Sequence, residues 1–298
     1  MKKFSCICII ICIFFAISSG CSRHPFYQKK NEIVIDLKKK IGIVAFDNRE
    51  KRISQFSIDK FYTNIVSQMK QLDSSLYFIT IDNMPEVLQT TSRLLSTDLI
   101  DRQALIETAR EKGYQALIWA RIHEMKMVFQ KAGIYGFRKK MPFVQFRGEF
   151  SLFDCETHSK LWYLPLVKTY RLDKLFDSNE EKQNVLNEIT IKKVLARLSE
   201  FISLQMVEIL ENDPWKGFIV ENNNGLYAIS SGAQAGVVKH MTLDVIGSMG
   251  TINGIYNQEY LVPGNQIGRI QIVEVDENTS KGVPLYGNQL EKSICVRR

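Results

Sequence analysis

The 298-residue sequence lacks the short motifs that carry much of enzyme chemistry. It contains no Gly-x-x-x-x-Gly-Lys phosphate-binding loop and no Gly-x-Ser-x-Gly nucleophile elbow. Histidine is scarce, and the four residues of this type are dispersed along the chain: His24, His123, His158 and His240. These absences favour a protein that is not an enzyme, and they predict neither a cofactor nor a metal site.

The sequence also lacks an apolar run long enough to span a membrane as a helix, which needs roughly 20 residues. The run from Ile7 to Ile17 is shorter; it follows Lys2 and Lys3 and leads into small residues. A basic start, a short apolar core and a small-residue exit are typical of a secretory signal peptide. Residues 1–20 are therefore predicted to be a signal peptide that ends immediately before Cys21.

The junction at Cys21 resembles the bacterial lipobox, in which the cysteine is lipidated and becomes the first residue of the mature chain. Ser18 stands where that motif usually has leucine. The resemblance implies a lipid anchor at Cys21, because two or more acyl chains give stable membrane attachment. Ser22 after the cysteine is similar to the sorting signal for the outer membrane, where the protein would face the periplasm. A secreted protein that is cut elsewhere is the alternative.

Charge of either sign is not concentrated in the sequence. The formal net charge is +7, and without residues 1–20 it is +5, with 37 basic against 32 acidic residues. Short basic clusters occur at 38–40 and 138–140, but they do not form the basic stripe of a nucleic-acid-binding protein. We therefore expect no nucleic-acid partner.

Beyond Cys21, only two of the six cysteines remain, Cys155 and Cys295. They lie far apart in sequence and form no Cys-x-x-Cys pair. An extracytoplasmic compartment permits a disulfide. A Cys155–Cys295 bond and two buried free thiols are therefore both compatible with the sequence.

The hydrophobic pattern of the remaining chain first indicates a tether and then an α/β domain. Residues 21–40 are polar and charged, whereas residues 41–214 alternate strand-like apolar runs with amphipathic helical segments. We expect strands at 41–50, 76–82, 116–129, 144–152 and 160–172, and helices at 55–72, 99–114 and 181–211. Pro214 is expected to end the last helix, because its ring excludes the helical conformation at the preceding residue.

The texture of the sequence changes at Trp215, after which Gly and Asn are frequent and no helical period occurs. Short strand-like runs follow at close spacing, beginning with a hairpin at 217–230. This pattern predicts a small all-β domain over 215–298, in the form of a barrel. The expected fold class is α+β: a mixed sheet packed with helices, followed by a small SH3-like barrel.

The first domain carries a turn that points to a family. Its order of elements opens with IGIVAFDN at 41–48, and FDCETHSKLW follows at 153–162. These features resemble the N-terminal domain of the translocation protein TolB and its relatives, among them the curli secretion lipoprotein CsgG and the penicillin-binding-protein activator lipoproteins. The residues that match the turn Asp-x-x-Thr-Gly-x-x-Leu-Trp are Asp154, Thr157, Leu161 and Trp162. The resemblance implies a TolB-like mixed sheet.

The second domain contains ISSGAQAGVVKHMTLDVIG and then VPGNQIGRIQIVEV. These segments are similar to the C-terminal barrel of flagellar assembly protein T. The positions that carry the similarity are Gly232, Gly236, Val237, Pro263, Gly264, Ile267 and Gly268. His158 in the first domain and His240 in the second stand where these families usually have glycine. Because histidine is among the residues that tolerate a positive φ, we expect left-handed backbone at both, rather than a metal or catalytic site.

The stretch QKAGIYGFRKKMP at 130–142 is the candidate for contact with another molecule, as a loop between two long strands. Aromatic residues and arginine are enriched where proteins dock, and tyrosine beside basic residues also suits a membrane interface. The candidate residues are Lys131, Tyr135, Phe137, Arg138, Lys139 and Lys140. A solvated hairpin tip, a protein-docking loop and a membrane-inserting hairpin all remain open.

The sequence therefore favours a non-enzymatic lipoprotein that contributes to an envelope assembly. The two resemblances imply a flagellar motor ring or collar, with the membrane, envelope or flagellar basal-body proteins as partners and a homo-oligomeric ring as one arrangement. A lipoprotein activator of a peptidoglycan synthase is the alternative. A CsgG-like secretion-channel subunit is less favoured, because Arg121, His123 and Lys126 are expected on both faces of their strand.

Overall fold

The protein is described by a computed structural model that covers residues 37–48, 52–80, 102–175, 186–223, 225–255, 258–287, 290 and 293–298. The predicted signal peptide, Cys21 and the predicted tether up to residue 36 lie outside the described residues. The described residues form one compact unit. The architecture is α+β, with one mixed sheet and one antiparallel sheet.

The first sheet has five strands in the order β2–β1–β3–β4–β5. The described helices and strands of this part are β1 (Lys39–Asn48), α1 (Gln55–Leu72), β2 (Leu76–Thr80), α2 (Arg102–Glu111), β3 (Ala116–Ala132), β4 (Lys139–Asp154), β5 (Lys160–Arg171) and α3 (Glu188–Asn212). β1, β2 and β3 are parallel, whereas β4 and β5 are antiparallel to their neighbours.

The strand order dictates where the first two helices lie. The chain crosses the sheet in one direction from β1 to β2 and in the other direction from β2 to β3. Since such crossovers are right-handed, α1 and α2 belong on opposite faces. The packing agrees, because α1 joins α3 in the main apolar core, whereas α2 joins a second core on the other face.

The main core forms because apolar residues recur at helical spacing in both α1 and α3. Phe61 of α1 and Phe150 of β4 meet edge to face, with their ring centroids 6.3 Å apart. The buried residues of the two helices include Ile58, Ile65, Met69, Ile191, Val194, Leu198, Ile202 and Met206. This apolar helical layer covers one face of the sheet.

Two helix ends differ from the expectation, and the first is the end of α2, which lies at Glu111 rather than near residue 114. α3 begins at Glu188 rather than near residue 181, because the Asn187 side chain caps it by accepting a hydrogen bond of 2.9 Å from the Thr190 backbone N–H. Residues 181–185 lie outside the described chain, as do residues 99–101, where the second helix was expected to begin. The predicted stop before Pro214 is confirmed, since α3 ends at Asn212.

The second sheet has seven strands in the order β6–β12–β9–β10–β11–β8–β7. They are β6 (Lys216–Gly217), β7 (Ile219–Asn223), β8 (Leu226–Ile229), β9 (Thr242–Asn253), β10 (Glu259–Val275), β11 (Ser280–Gly287) and β12 (Ser293–Arg297). β6 and β7 occupy opposite edges, although only Phe218 separates them in sequence. The sheet must therefore curl until its edges come close, which makes it a nearly closed antiparallel barrel.

Both turn histidines adopt the backbone conformation expected from the sequence. His158 has φ of 60° and His240 has φ of 70°, and they are the non-glycine residues with positive φ in the described chain. Thr157 donates its backbone N–H to the Asp154 carboxylate at 3.0 Å, which closes the turn ahead of His158. The prediction of left-handed turns is confirmed at both positions.

Candidate functional site

The predicted contact loop is the end of a long hairpin rather than a loop of thirteen residues. β3 runs to Ala132 and β4 begins at Lys139, so only residues 133–138 form the turn. The expected bounds of 130–142 are wrong, because the flanking residues continue the ladder with pairs such as Lys131 with Lys140. Residues 129–140, the turn and the strand ends beside it, are called the finger below.

The finger presents large apolar side chains to solvent. Ile134 is 83% exposed, Tyr135 88% and Phe137 83%. The Arg138 guanidinium lies 5.8 Å from the centre of the Tyr135 ring. Lys131, Lys139 and Lys140 add three exposed ammonium groups, and the finger contains no acidic residue. It is therefore an apolar tip surrounded by positive charge.

The backbone of the turn keeps these side chains apart from the body of the protein. Gly133 has φ of 124° and Gly136 has φ of 91°, conformations that suit glycine. The Phe137 N–H donates to the Ile134 carbonyl at 2.9 Å. No atom lies within 4 Å of a Cβ built on Gly136, so the tip is open on that side.

The finger points away from the place where the described chain begins. β1 is parallel to β3, and Ile41 near the start of β1 is paired with Ala116 at the start of β3. The finger lies at the other end of β3, which has 17 residues. At about 3.3 Å per residue, roughly 50 Å separate the two ends of that strand.

The sheet face opposite α1 and α3 is polar along β3 and β4. Arg121 lies 3.3 Å from Glu149, and Lys126 lies 3.0 Å from Glu124 on the same face. The expectation that Arg121, His123 and Lys126 fall on both faces is wrong. A β-bulge between Ile122 and Glu124 resets the alternation. This face is therefore polar around Arg121 and Lys126, whereas Leu117 and Phe153 at its other end belong to the apolar core against α2. The opposite, apolar face is covered by α1 and α3.

A cleft of about 360 Å³ lies at the opposite end of the β3–β4 hairpin from the finger. Three regions meet there: α2, the turn after β4, and the barrel strands β7, β9 and β10. The lining residues include Gln103, Glu107, Arg110, Glu111, His158, Phe218, Thr251, Glu259 and Leu261. Two hydrogen bonds connect the segments that line it. The Leu261 N–H of β10 donates to the Thr157 carbonyl at 3.1 Å, and the Glu259 N–H of β10 donates to the Gln103 side-chain oxygen of α2 at 3.2 Å.

His158 gives the cleft an unsatisfied polar group. Both of its ring nitrogens are buried and meet the geometric criteria of a hydrogen bond with none of the described residues, although the Glu259 backbone lies close enough to raise the pKa of the ring. Burial lowers the pKa of His158, against the opposing influence of the Glu107 carboxylate. The imidazole is therefore neutral near pH 7 and can accept one hydrogen bond and donate another.

The cleft has a negative rim and an apolar floor. Glu107, Glu111 and Glu259 supply three exposed carboxylates, and Arg110 supplies one guanidinium. The Arg110 guanidinium lies 5.3 Å from the centre of the Phe218 ring, and burial lowers its pKa. Within the described residues, no group of three or more His, Cys, Asp or Glu side chains could hold a metal ion.

The cleft was not predicted from the sequence, because its residues come from segments more than a hundred positions apart. Only His158 was noticed in the sequence, because it stands where the turn of the resembled family usually has glycine. The contact residues on the finger are brought together as a single tip, whereas Cys21 lies outside the described residues. None of the helices that the structure describes is long and apolar enough to cross a membrane.

No protein-family model and no curated protein sequence matches this chain. Among solved structures, it is similar to the hypothetical protein CT253 from Chlamydia trachomatis, with 13% identity and a TM-score of 0.40 over 59% of this chain and 99% of that one. It is also similar to lipoprotein GNA1162 from Neisseria meningitidis, with 12% identity and a TM-score of 0.28 over 57% and 99%.

A third similar structure is a minor lipoprotein from Acinetobacter baumannii, with 12% identity and a TM-score of 0.27 over 57% of this chain and 93% of that one. Bacterial lipoproteins are thus among the proteins that this chain is similar to. All three TM-scores lie below 0.5, so these similarities carry no conclusion about its function.

Proposed function

We propose that this protein is a non-enzymatic lipoprotein, anchored through Cys21 on the periplasmic face of the outer membrane, that docks through its finger in an envelope assembly. The observation that carries the proposal is the finger itself. Three large apolar side chains are more than four-fifths exposed at its tip, within a ring of positive charge. Aromatic and arginine side chains of this kind are enriched in protein interfaces.

A protein partner explains the finger better than the anchoring membrane does. The finger lies roughly 50 Å along β3 from the end of the sheet where β1 begins. The predicted tether therefore joins the sheet at the end opposite the finger, which favours a protein in the periplasm over the anchoring membrane as the partner of the finger.

Within this class, the sequence resemblances favour a flagellar motor ring or collar. They are a TolB-like first domain and a barrel similar to that of flagellar assembly protein T, of SH3-like type. A lipoprotein activator of a peptidoglycan synthase is the second candidate. A secretion channel is disfavoured, because the polar face of β3 and β4 cannot face lipid and the apolar face is covered by α1 and α3.

Photo-crosslinking in the native host tests the proposal. A photoreactive phenylalanine analogue replaces Tyr135 in the full-length lipoprotein, and crosslinked proteins are identified by mass spectrometry. Leu204, an exposed residue on α3, carries the same probe in the matched control. Flagellar basal-body proteins that are crosslinked from Tyr135 but not from Leu204 support a role in a flagellar ring. A peptidoglycan synthase crosslinked in the same way supports the role of a synthase activator. If Tyr135 captures nothing beyond what Leu204 captures, the finger is not a docking element.

A Cys21→Ala variant tests the anchor separately. It should move the protein from the membrane fraction into the soluble periplasmic fraction. A variant that stays with the membrane at unchanged electrophoretic mobility would show that Cys21 is not lipidated.

A further inference from the structure

We propose that the finger of one copy docks into the cleft of a second copy of this chain, with Tyr135 inserted toward His158. This inference rests on the proposed docking role of the finger and names its partner. In this head-to-tail contact, one end of the β3–β4 hairpin of the first copy meets the opposite end of the hairpin of the second copy.

The two surfaces are complementary in charge. The finger carries Lys131, Arg138, Lys139 and Lys140 and no acidic residue. The cleft carries three carboxylates against one guanidinium, so its rim is negative. Such complementarity speeds association and fixes the orientation of two partners. In the proposed contact, the basic residues of the finger lie next to the carboxylates at the edge of the cleft.

The two surfaces are also complementary in their apolar and polar groups. The floor of the cleft includes Phe218 and Leu261, against which an aromatic side chain from the finger can pack. Within the described part of the chain, the buried imidazole of His158 has no partner in good hydrogen-bonding geometry. The Tyr135 hydroxyl, at the end of a side chain that is 88% exposed, can donate to that imidazole. A cleft of about 360 Å³ has the size of a small-ligand site and suits a narrow finger tip rather than a broad flat surface.

The two surfaces cannot meet within one copy. β4 leads from Lys139 in the finger to Asp154, which opens the turn that contains His158. Its 16 residues place the finger and the cleft roughly 50 Å apart on a continuous strand. A finger that occupies a cleft must therefore come from another copy. Contacts of this kind join different surfaces, and they build a ring if the rotation closes or an open chain if it does not.

Charge reversal at each end gives a decisive experiment with the full-length lipoprotein in detergent. The finger variant is Lys131→Glu, Lys139→Glu and Lys140→Glu, which changes the formal charge of the finger from +4 to −2. The cleft variant is Glu107→Lys with Glu111→Lys, which changes the formal charge of the cleft from −2 to +2. The wild type should form oligomers in a concentration-dependent manner, and each variant alone should associate at least about tenfold more weakly. The substituted residues are exposed, so each variant should keep the wild-type unfolding midpoint.

Mixing the two variants distinguishes this contact from others. In the mixture, the intact finger of the cleft variant can enter the intact cleft of the finger variant, and the reversed finger can enter the reversed cleft. The mixture should therefore regain oligomers in which the two variants alternate. A chain that carries all five substitutions should also regain oligomers, because the charges of both surfaces are then reversed. Size measured by light scattering reports each result, and a mixture that stays monomeric overturns the proposal.

The hydroxyl contact has its own test. Tyr135→Phe and His158→Gly each remove one partner, and glycine adopts the left-handed backbone of residue 158 without strain. The double variant should associate no more weakly than the weaker single variant, whereas independent effects would add and overturn the pairing.

The outcomes also separate this inference from the proposed function. A monomeric wild type whose Tyr135 probe captures another envelope protein overturns self-docking and leaves the docking role of the finger intact. Capture of this same chain from Tyr135, lost in the cleft variant, supports both. Oligomers that neither charge variant weakens overturn self-docking through these surfaces.

Discussion

The ammonium group of Lys216 lies 2.8 Å from a carboxylate oxygen of Asp154, and both side chains are almost completely excluded from solvent. Lys216 begins β6 in the barrel, whereas Asp154 ends β4 in the mixed sheet. The same ammonium group lies 2.8 Å from Asp213 and 3.2 Å from Glu156. A buried cluster of charges therefore joins the two sheets at the end of the molecule that contains the cleft.

Replacing Lys216 with methionine should destabilise the protein strongly. Burial alone would lower the pKa of Lys216, but the three carboxylates outweigh it and raise this pKa above its ordinary value. Without the ammonium group, buried carboxylates lose their counter-charge, and the expected cost is about 3–5 kcal/mol in the free energy of unfolding. Urea denaturation measures it. Lys281→Met removes an exposed partner of Glu274 and, as the matched control, should leave the midpoint nearly unchanged.

The two cysteines should react slowly in the native protein. Cys155 and Cys295 are free and buried, and burial raises the pKa of each thiol. Because the thiolate is the reactive species, an alkylating reagent at pH 8 should modify neither until the chain unfolds. Mass spectrometry before and after addition of urea counts the modified sites. Recovery of a Cys155–Cys295 disulfide from periplasmic protein would contradict this expectation.

Gly113 should tolerate alanine poorly. Its φ is 80°, and a Cβ built on it falls 2.0 Å from the backbone carbonyl oxygen of Ser230 at the end of β8. Gly136 has a similar φ of 91° but no atom within 4 Å of its Cβ position. Gly136→Ala should therefore cost only the backbone strain, about 1–2 kcal/mol, whereas Gly113→Ala should cost clearly more. Equal losses in urea denaturation would show that the close approach to Ser230 is unimportant.

The sequence was informative where a local period or cap decides the structure. Apolar spacing predicted α1 at its observed bounds of 55–72, and the strand predicted at 144–152 lies within β4. The position of the finger was predicted, but the two strands that lead to it were predicted to be shorter than they are. Lys131 of β3 and Lys140 of β4 are paired with each other, and both are exposed. No alternation of buried and exposed residues therefore identifies them as strand residues.

Other features depend on contacts that are distant in sequence. The bulge at His123 reverses the side-chain alternation of β3, and no residue type announces such a bulge. The cleft and the charge cluster around Lys216 arise only when the barrel packs on the mixed sheet. Asp154 was recognised as a turn residue, but its partner Lys216 is 62 positions away. Local sequence patterns therefore cannot predict that Asp154 pairs with Lys216.

His240 offers a direct measure of what a left-handed histidine costs. Its φ is 70°, and its N–H donates to the Ile272 carbonyl at 2.8 Å, which fixes the turn. His240→Gly removes the strain but frees the unfolded chain, so stability should stay within about 1 kcal/mol of the wild type. His240→Val places a β-branched residue in the same conformation and should cost about 1–2 kcal/mol. Equal stabilities of the two variants would show that the turn relaxes.

His158 should make the stability of the protein depend on pH. Burial lowers the pKa of its imidazole from the ordinary value of 6.5. As the pH falls below about 6.5, the unfolded chain binds a proton that the folded chain does not yet bind. Stability should therefore fall with decreasing pH until the lower, folded-state pKa is reached, and above pH 7 this residue should contribute nothing to the pH dependence.

The variant His158→Asn isolates this effect, because it keeps a residue that tolerates positive φ and removes the titrating group. The difference in unfolding free energy between the wild type and this variant should shift against the wild type as the pH is lowered from 7 to 5. An imidazole NMR titration of His158 should give a pKa below 6.5 for the folded monomer. A pKa above that value would mean that the carboxylates of the cleft outweigh burial, and that the imidazole is charged where a neutral acceptor is needed.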